Sequence, residues 1–376
     1  MGWFARSLRA EDSPACRFAG ALPVLVLMLV LGAAAAPVQA QILTPPAPPP
    51  TPPPMPAFAA FDVSAGATLA NLGSNFLERL GDQASGGFAR ASRSNPAGGG
   101  ASAATDDQNF RSWGELYEIS SRTGPQGEFV GDKRQTFGGV AGFGARIAPG
   151  VNVGFSIDQS RTGIDVPLAM QSAALDLTQF GFNASVDRGP WTWAIALVHG
   201  FGKIDSSRDT ALGVASAAYR GQIDGALTEV SYFWTADQTR IVPKAAFEFV
   251  HAATGSFQEM GGLDPVTATG ATLDRSRMLV GAEIGHFWIV DRKILDLSAY
   301  GKFVDNFEQV FNTTTISLGP QSITIQGIGE SRLGADAGAT FSVSLSNTAR
   351  IYLNYDGKFR AALQSHQGTL GVELRW

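Results

Sequence analysis

The last segment of the chain alternates apolar and polar side chains up to a terminal aromatic residue. Leu370, Val372, Leu374 and Trp376 occupy every second position, and the residues between them are glycine, glutamate and arginine. A period of two is that of a β-strand, whose successive side chains point to opposite faces of the sheet. A strand that is apolar on one face and polar on the other fits the lipid-facing wall of a transmembrane barrel. We therefore expect the chain to end as a barrel strand, in an outer membrane.

Composition agrees with a membrane barrel. The 376 residues include 44 glycines and 10% aromatics, but only 16% are charged, against about 25% in soluble domains. No apolar run after residue 40 reaches the roughly 20 residues that a membrane-spanning helix needs. Because only helices and closed barrels satisfy their backbone polar groups in lipid, a barrel is expected. The net charge of −5 does not point to a nucleic-acid partner.

Residues 1–40 are predicted to be an export signal. Three arginines precede an apolar core at residues 19–36, and Val38-Gln39-Ala40 forms a small-residue cleavage site, so Gln41 becomes the first mature residue. An uncleaved membrane anchor is the alternative. The only cysteine, Cys16, lies before the core. The mature protein is therefore expected to lack disulfides, metal thiolates and cysteine nucleophiles.

Residues 41–56 are rich in proline and are predicted to form a stiff polyproline II linker. A recognition motif for a proline-binding module is the alternative to a spacer.

Residues 57–108 are predicted to contain one helix, from about Val63 to Leu80, followed by a stretch rich in Gly, Ser and Ala that we expect to be mobile. Apolar residues recur at helical spacing, with Asp62 or Ser64 as the N-cap and Gly81 as the terminator. At 1.5 Å per residue this helix would be roughly 27 Å long, close to the height of a barrel's apolar band. The sequence leaves open whether it threads the lumen or lies on the membrane or the barrel rim.

Residues 109–376 have the alternation of a barrel, with about twelve predicted strands separated by turn residues. We place them at 110–121, 135–147, from 151, 175–186, from 191, 219–234, 240–250, 272–288, 294–307, 323–329 with a continuation into 332–345, 350–359, and 364–376.

The predicted connections alternate in length. Short turns fall near 148, 188, 236, 291 and 347, and longer loops near 125, 165, 210, 262 and 316. Short periplasmic turns and long external loops are typical of outer-membrane barrels, and an even strand count places both barrel ends on the periplasmic side. A soluble β-sandwich is the alternative, but its strands average about 5 to 6 residues.

The region from Trp113 to Trp376 resembles the autotransporter β-domain, the translocator of type V secretion. The segments that carry the resemblance, in order, are Ser112–Tyr117 (SWGELY), Gly189–Trp191 (GPW), Phe257–Gly262 (FQEMGG), Arg332–Ala335 (RLGA) and the closing Leu370–Trp376. Their order and spacing together make the resemblance strong.

The resemblance implies a twelve-stranded barrel with a helix in its lumen. It also implies that the C-terminal apolar residues, Leu370, Val372, Leu374 and Trp376, are an assembly signal read by the outer-membrane barrel-assembly machinery. Further expected partners are outer-membrane lipids and periplasmic chaperones, and the barrel is expected to be monomeric. The chain departs from the family in having only residues 41 to about 108 before the barrel, as a vestigial passenger, a plug or a surface-displayed tail.

No catalytic, cofactor or metal motif is found in the sequence. The four histidines, His199, His251, His286 and His366, are dispersed and belong to no spaced motif. Seven charged residues are predicted to face the lumen and to solvate it: Glu115, Glu229, Glu248, Glu283, Lys244, Lys302 and Glu373.

We expect a non-catalytic outer-membrane translocator that exports or displays its own N-terminal segment. A pore plugged by residues 57–108 and a barrel hydrolase with an active site at the outer rim are the alternatives.

Overall fold

The computed structural model describes residues 60–93, 109–127, 129–290 and 293–376. Within them, one long helix, α1 (Ala60–Arg93), precedes twelve long antiparallel strands. The strands are β1 (Phe110–Thr123), β2 (Asp132–Ala148), β3 (Val151–Val166), β4 (Gln171–Arg188), β5 (Trp191–Thr210), β6 (Gly213–Tyr232), β7 (Thr239–Thr254), β8 (Ala271–Val290), β9 (Lys293–Phe311), β10 (Leu333–Ser344), β11 (Ala349–Arg360) and β12 (Leu363–Arg375).

The sheet closes on itself. Each strand pairs with the next one along the chain, and β12 pairs with β1 from Arg111↔Arg375 to Thr123↔Leu363. The strands are 12 to 20 residues long. The predicted twelve-stranded antiparallel barrel is thus confirmed, and the β-sandwich alternative is wrong because the described strands of the wall form one closed sheet without an edge.

The two faces of each strand follow the predicted period of two. On β5, Trp191, Trp193 and Leu197 lie on the outer surface, whereas Thr192 and Ala194 are buried inside. Aromatic rings cluster on this outer surface near the end where β1 starts, with Trp191 and Tyr232 at 4.9 Å and Phe143 and Trp376 at 6.2 Å between ring centroids. An apolar outer band bordered by aromatic residues is typical of barrels that face lipid.

The two ends of the barrel differ in their connections. At the end where β1 begins, residues 149–150 and 189–190 are two-residue turns, as predicted. At the opposite end, residues 255–270 and 312–332 form long connections, which we call the outer loops. The prediction of a long loop near residue 210 is wrong. β5 continues to Thr210 and β6 begins at Gly213, so only a tight turn connects them.

The strand predicted at 323–329 is not part of the barrel wall. Thr314–Leu318 and Gln321–Ile325 form a hairpin that joins Thr267–Ala268 and Phe257–Gln258 in a separate four-stranded sheet. The outer loops are therefore held together by backbone hydrogen bonds. Local alternation could not separate this hairpin from a wall strand, because both have the same period.

Helix α1 is longer than predicted, running from Ala60 to Arg93 rather than from 63 to 80. Asp62 and Ser64 lie inside it, so the N-cap prediction is wrong. Gly81 does not end the helix, which continues to Arg93. Gly81 is buried against the wall, where an added Cβ would lie 3.0 Å from Leu227. Packing thus overrides the cost of about 1 kcal/mol that glycine imposes on a helix.

The helix lies in the lumen, as the resemblance implies; of the positions that the sequence left open, the membrane surface and the barrel rim are wrong. Its side chains reach wall residues on opposite sides of the barrel, including Asp158 on β3, Lys244 on β7 and Lys358 on β11. Among the described residues, no helix combines the length and the apolar character needed to cross a membrane. The predicted signal peptide at 1–40, the linker at 41–56 and residues 94–108 lie outside the described residues.

Candidate functional site

The helix has a defined direction in the lumen. Asp62, near its N-terminal end, accepts a hydrogen bond from Thr254, the last residue of β7 beside the outer loops (3.3 Å). More than five turns later, the carbonyl of Gln83 accepts one from Arg111, at the start of β1 (2.9 Å). The N-terminal end of α1 therefore lies at the outer-loop end of the barrel, and its C-terminal half points to the end where β1 begins.

One face of the helix is apolar and packs against wall glycines. Leu69, Leu77 and Leu80 are fully buried. A Cβ added to Gly221, Gly225 or Gly181 would lie 2.6 Å, 2.7 Å and 2.5 Å from Leu69, Leu77 and Leu80, respectively. Each glycine thus leaves room for one leucine, as expected where a strand must allow close approach. Burial of each leucine is worth about 1.5–3 kcal/mol.

Two helix glycines give a matched test of this packing. A Cβ at Gly73 would overlap the fully buried Ile223, whereas a Cβ at Gly66 would meet nothing within 4 Å. Gly66→Ala should raise the stability of the barrel by up to about 1 kcal/mol through helix propensity. Gly73→Ala should lower it, because overpacking costs about 1–3 kcal/mol. Denaturant midpoints of the two variants, refolded in detergent, should shift in opposite directions; two upward shifts would show that this contact is loose.

The other face of the helix is charged. Glu78 accepts hydrogen bonds from Lys358 (2.6 Å), Arg277 (2.8 Å) and Lys302 (3.1 Å), which belong to three different strands. One carboxylate is thus shared by three cations in the middle of the lumen.

The next residue along, Arg79, pairs with Glu115 at 2.7 Å and lies 3.5 Å from Asp158. It also lies over the Tyr117 ring, 4.3 Å from the centroid. One turn further, Asp82 pairs with Lys244 at 2.8 Å. These contacts fix both the rotation and the depth of the helix, because each partner belongs to the rigid wall.

The seven charged residues predicted to face the lumen all do so. Glu115, Glu248, Lys244 and Lys302 contact the helix. The other three contact cations of the wall strands. Glu283 pairs with Arg240 at 2.9 Å, Glu373 pairs with Arg350 at 3.1 Å, and Glu229 lies 3.9 Å from Lys244.

Sequence reasoning missed Arg275, Arg277, Asp158 and Lys358 as helix contacts. Their positions at inward-facing steps of the strands are the signal that could have found them.

A polar cavity of about 120 Å³ separates part of the helix from the wall. Glu78, Asp82, Lys302 and Tyr352 are among its lining residues. A water molecule needs roughly 10–15 Å³ of such volume and two to four polar partners, so the cavity can hold several. The charged face is therefore a hydrated seam rather than a dry interface.

The four histidines lie on the outer surface. Their ring nitrogens contact Asp224 (His199, 2.7 Å), Asp274 (His251, 2.6 Å), Thr239 (His286, 2.9 Å) and Tyr355 (His366, 2.7 Å). In the described part of the chain, none of them contacts a serine hydroxyl, and no three His, Cys, Asp or Glu side chains are grouped as metal ligands. Nothing here positively indicates an enzyme.

The four residues of the predicted assembly signal share the outer face of the last strand. The side chains of Leu370, Val372, Leu374 and Trp376 are about half exposed there. The Trp376 amide donates to the Phe110 carbonyl (3.1 Å), and the Phe110 amide donates to the Trp376 carbonyl (3.0 Å). Trp376 therefore completes the seam between β12 and β1 at the end of the barrel.

Comparisons with known proteins agree with this architecture. The family model described as autotransporter beta-domain matches residues 112–356. Among solved structures, the chain is similar to the translocator domain of the autotransporter NalP from Neisseria meningitidis, with a TM-score of 0.65, 14% identity, and coverage of 85% of this chain and all of that one. The β-domain of the Bordetella autotransporter BrkA gives a TM-score of 0.50 at 14% identity, covering 71% of this chain and all of that one. No curated protein sequence matches the chain.

Proposed function

Because the chain belongs to the autotransporter β-domain family, we propose that its outer-membrane translocator barrel exports its own N-terminal segment, displays it at the cell surface and keeps α1 in the lumen as anchor and plug. The direction of α1 carries this proposal. Its N-terminal end lies beside the outer loops, whereas the barrel ends, Phe110 and Trp376, meet at the opposite end. In an even-stranded barrel that second end is periplasmic. The polypeptide before Ala60 would therefore leave the lumen on the outer side.

The remaining parts of the chain follow from this function. Residues 1–40 direct export and are removed after Ala40, residues 41–56 form a spacer, and residues 57–108 combine the anchoring helix with a glycine-rich connection to the barrel. Leu370, Val372, Leu374 and Trp376 are the assembly signal for the barrel-assembly machinery. Periplasmic chaperones and outer-membrane lipids are the other partners of a monomeric barrel. The barrel carries out transport without catalysis, in keeping with a family of transport barrels.

An epitope tag between Met55 and Phe58 tests the proposal. The tag should bind antibody on intact cells and should be removed by external protease, because the segment before α1 leaves the outer end of the lumen. Antibody binding only after the outer membrane is permeabilised would contradict export and would leave α1 as a plug of a pore. A second tag at the short turn 189–190 is the control, since it should stay hidden in intact cells.

A further inference from the structure

Arg275 lies where the helix, the barrel wall and one outer loop meet. Its guanidinium is almost completely buried and donates to Asn71 Oδ1 (2.8 Å), Ser74 Oγ (2.5 Å) and the Ala70 carbonyl (3.2 Å) of α1. The same side chain donates to Glu330 Oε1, in the outer loop 312–332 (2.5 Å). One buried cation on β8 thus donates hydrogen bonds both to the helix and to the outer loop.

Glu330 fastens its loop at several points. Besides Arg275, it accepts a hydrogen bond from Arg360 at 3.2 Å, and its backbone amide and carbonyl bond to the Gln309 side chain at 2.9 Å and 2.8 Å. Burial raises the pKa of this carboxyl, but the guanidinium groups of Arg275 and Arg360 outweigh it and bring the pKa down to about 2. Glu330 is therefore ionised at neutral pH, and its carboxylate near the end of loop 312–332 is held in place by two arginines.

The two outer loops are joined by backbone pairing. Thr267 and Ala268 of one loop pair with Ser317 and Ile316 of the other. The first loop is also tied to the long β5–β6 hairpin by an Arg208–Glu259 ion pair at 2.6 Å. Because this pairing joins loops 255–270 and 312–332 into one sheet, we treat them as a single element and call it the cap.

We propose that docking of α1 closes the cap, so that the barrel has an open mouth during export and a closed mouth once the helix is seated. Without the helix, Arg275 loses the Asn71, Ser74 and Ala70 acceptors that set its position. It would then keep only Glu330, a carboxylate that it shares with Arg360, whose own closer partner is Asp336 at 2.7 Å. Without these acceptors the helix no longer fixes the guanidinium at the place where it meets Glu330, so the contact that holds the cap weakens. This inference concerns the barrel mouth and goes beyond display of the N-terminal segment.

A cysteine reporter measures closure of the cap. The sequence has a single cysteine, Cys16, in the predicted signal peptide, so one engineered thiol reports alone. Both reporter positions lie in loop 312–332 of the cap: Ile328 is buried (7% exposed), whereas Gln321 is exposed. On intact cells, Ile328→Cys should react slowly with a membrane-impermeant maleimide and Gln321→Cys quickly. Adding Asn71→Ala should speed labelling at Ile328→Cys by about tenfold, the value of one hydrogen bond to a charged group, and leave Gln321→Cys unchanged.

Asn75→Ala is the matched control. Asn75 lies one turn after Asn71, lines the lumen cavity and makes no hydrogen bond to loop 312–332 among the described residues. Labelling at Ile328→Cys should be as slow with this change as without it. Equal rates for Asn71→Ala and Asn75→Ala would overturn the proposal, because the cap would then close independently of the helix.

Glu330→Gln is the positive control for the reporter. It removes the charge that Arg275 and Arg360 bind, so it should open the cap and speed labelling at Ile328→Cys while Arg275 keeps its hydrogen bonds to α1. If Asn71→Ala yields no heat-resistant barrel, Ser74→Ala removes a second acceptor of Arg275 and takes its place. The epitope tag measures export of the N-terminal segment, whereas thiol labelling measures whether the cap is open. The two proposals can therefore fail separately.

Discussion

Removal of Trp376 is expected to lower the amount of folded barrel in the outer membrane by at least about tenfold. The Trp376 backbone makes two hydrogen bonds to Phe110 and so closes the seam of the barrel. An unpaired backbone group in lipid costs several kcal/mol, and about 1.4 kcal/mol is already tenfold in an equilibrium. The deletion also removes the aromatic residue that we propose is read during assembly. The measurement is the quantity of heat-resistant protein in outer-membrane fractions.

Two substitutions separate the assembly signal from general aromatic packing. Trp193 is as exposed on the outer surface as Trp376, at 59% against 52%, but it lies within β5. Trp193→Ala should therefore leave outer-membrane levels close to normal, and Trp376→Phe should retain most of the assembly. Normal levels after deletion of Trp376, or an equal loss in Trp193→Ala, would argue against a signal at this residue.

Period-two alternation was sufficient to predict the wall of the barrel. It gave the strand number, the outward side of β12 and the inward side of residues such as Glu115 and Glu248, because one face meets lipid and the other a hydrated lumen. Strand ends were predicted less well. The end of β5 extends beyond the apolar band, where Ser206 and Arg208 face inward and Ser207 and Asp209 face outward, so the alternation weakens.

The helix could be predicted only in part, because tertiary contacts decide its extent. Gly81 is a stop signal in isolation, yet the wall around it supports a continuous helix. The contacts that hold the helix could not be predicted from local sequence patterns. Glu78 and Arg277 are 199 residues apart in sequence, and nothing in either neighbourhood specifies the other. The candidate site was thus predictable as a set of inward charges, but not as a network.

The network centred on Glu78 stabilises the docked helix through unusually concentrated charge. Arg277 is 1% exposed, and Lys302 and Lys358 are 12% and 16% exposed. In the described part of the chain, Arg277 is the one of these three cations that pairs with a second carboxylate, Glu248 at 2.7 Å. The Glu78 carboxylate therefore offsets much of the desolvation of two lysines. Removing one partner from a buried ion pair is costly because it leaves uncompensated charge behind.

Glu78→Gln should consequently lower the free energy of unfolding by about 3–5 kcal/mol. The change preserves size and removes only the charge, so packing of the apolar face is untouched. The measurement is the denaturant midpoint of the barrel refolded in detergent, read from helix signal and from protease sensitivity of α1. Asp82→Asn is the matched control: its carboxylate also pairs with a lysine, Lys244, but is half exposed, so the loss should be about 0–1 kcal/mol. Equal losses in the two variants would mean that water compensates the lumen charges and that the apolar face alone holds the helix.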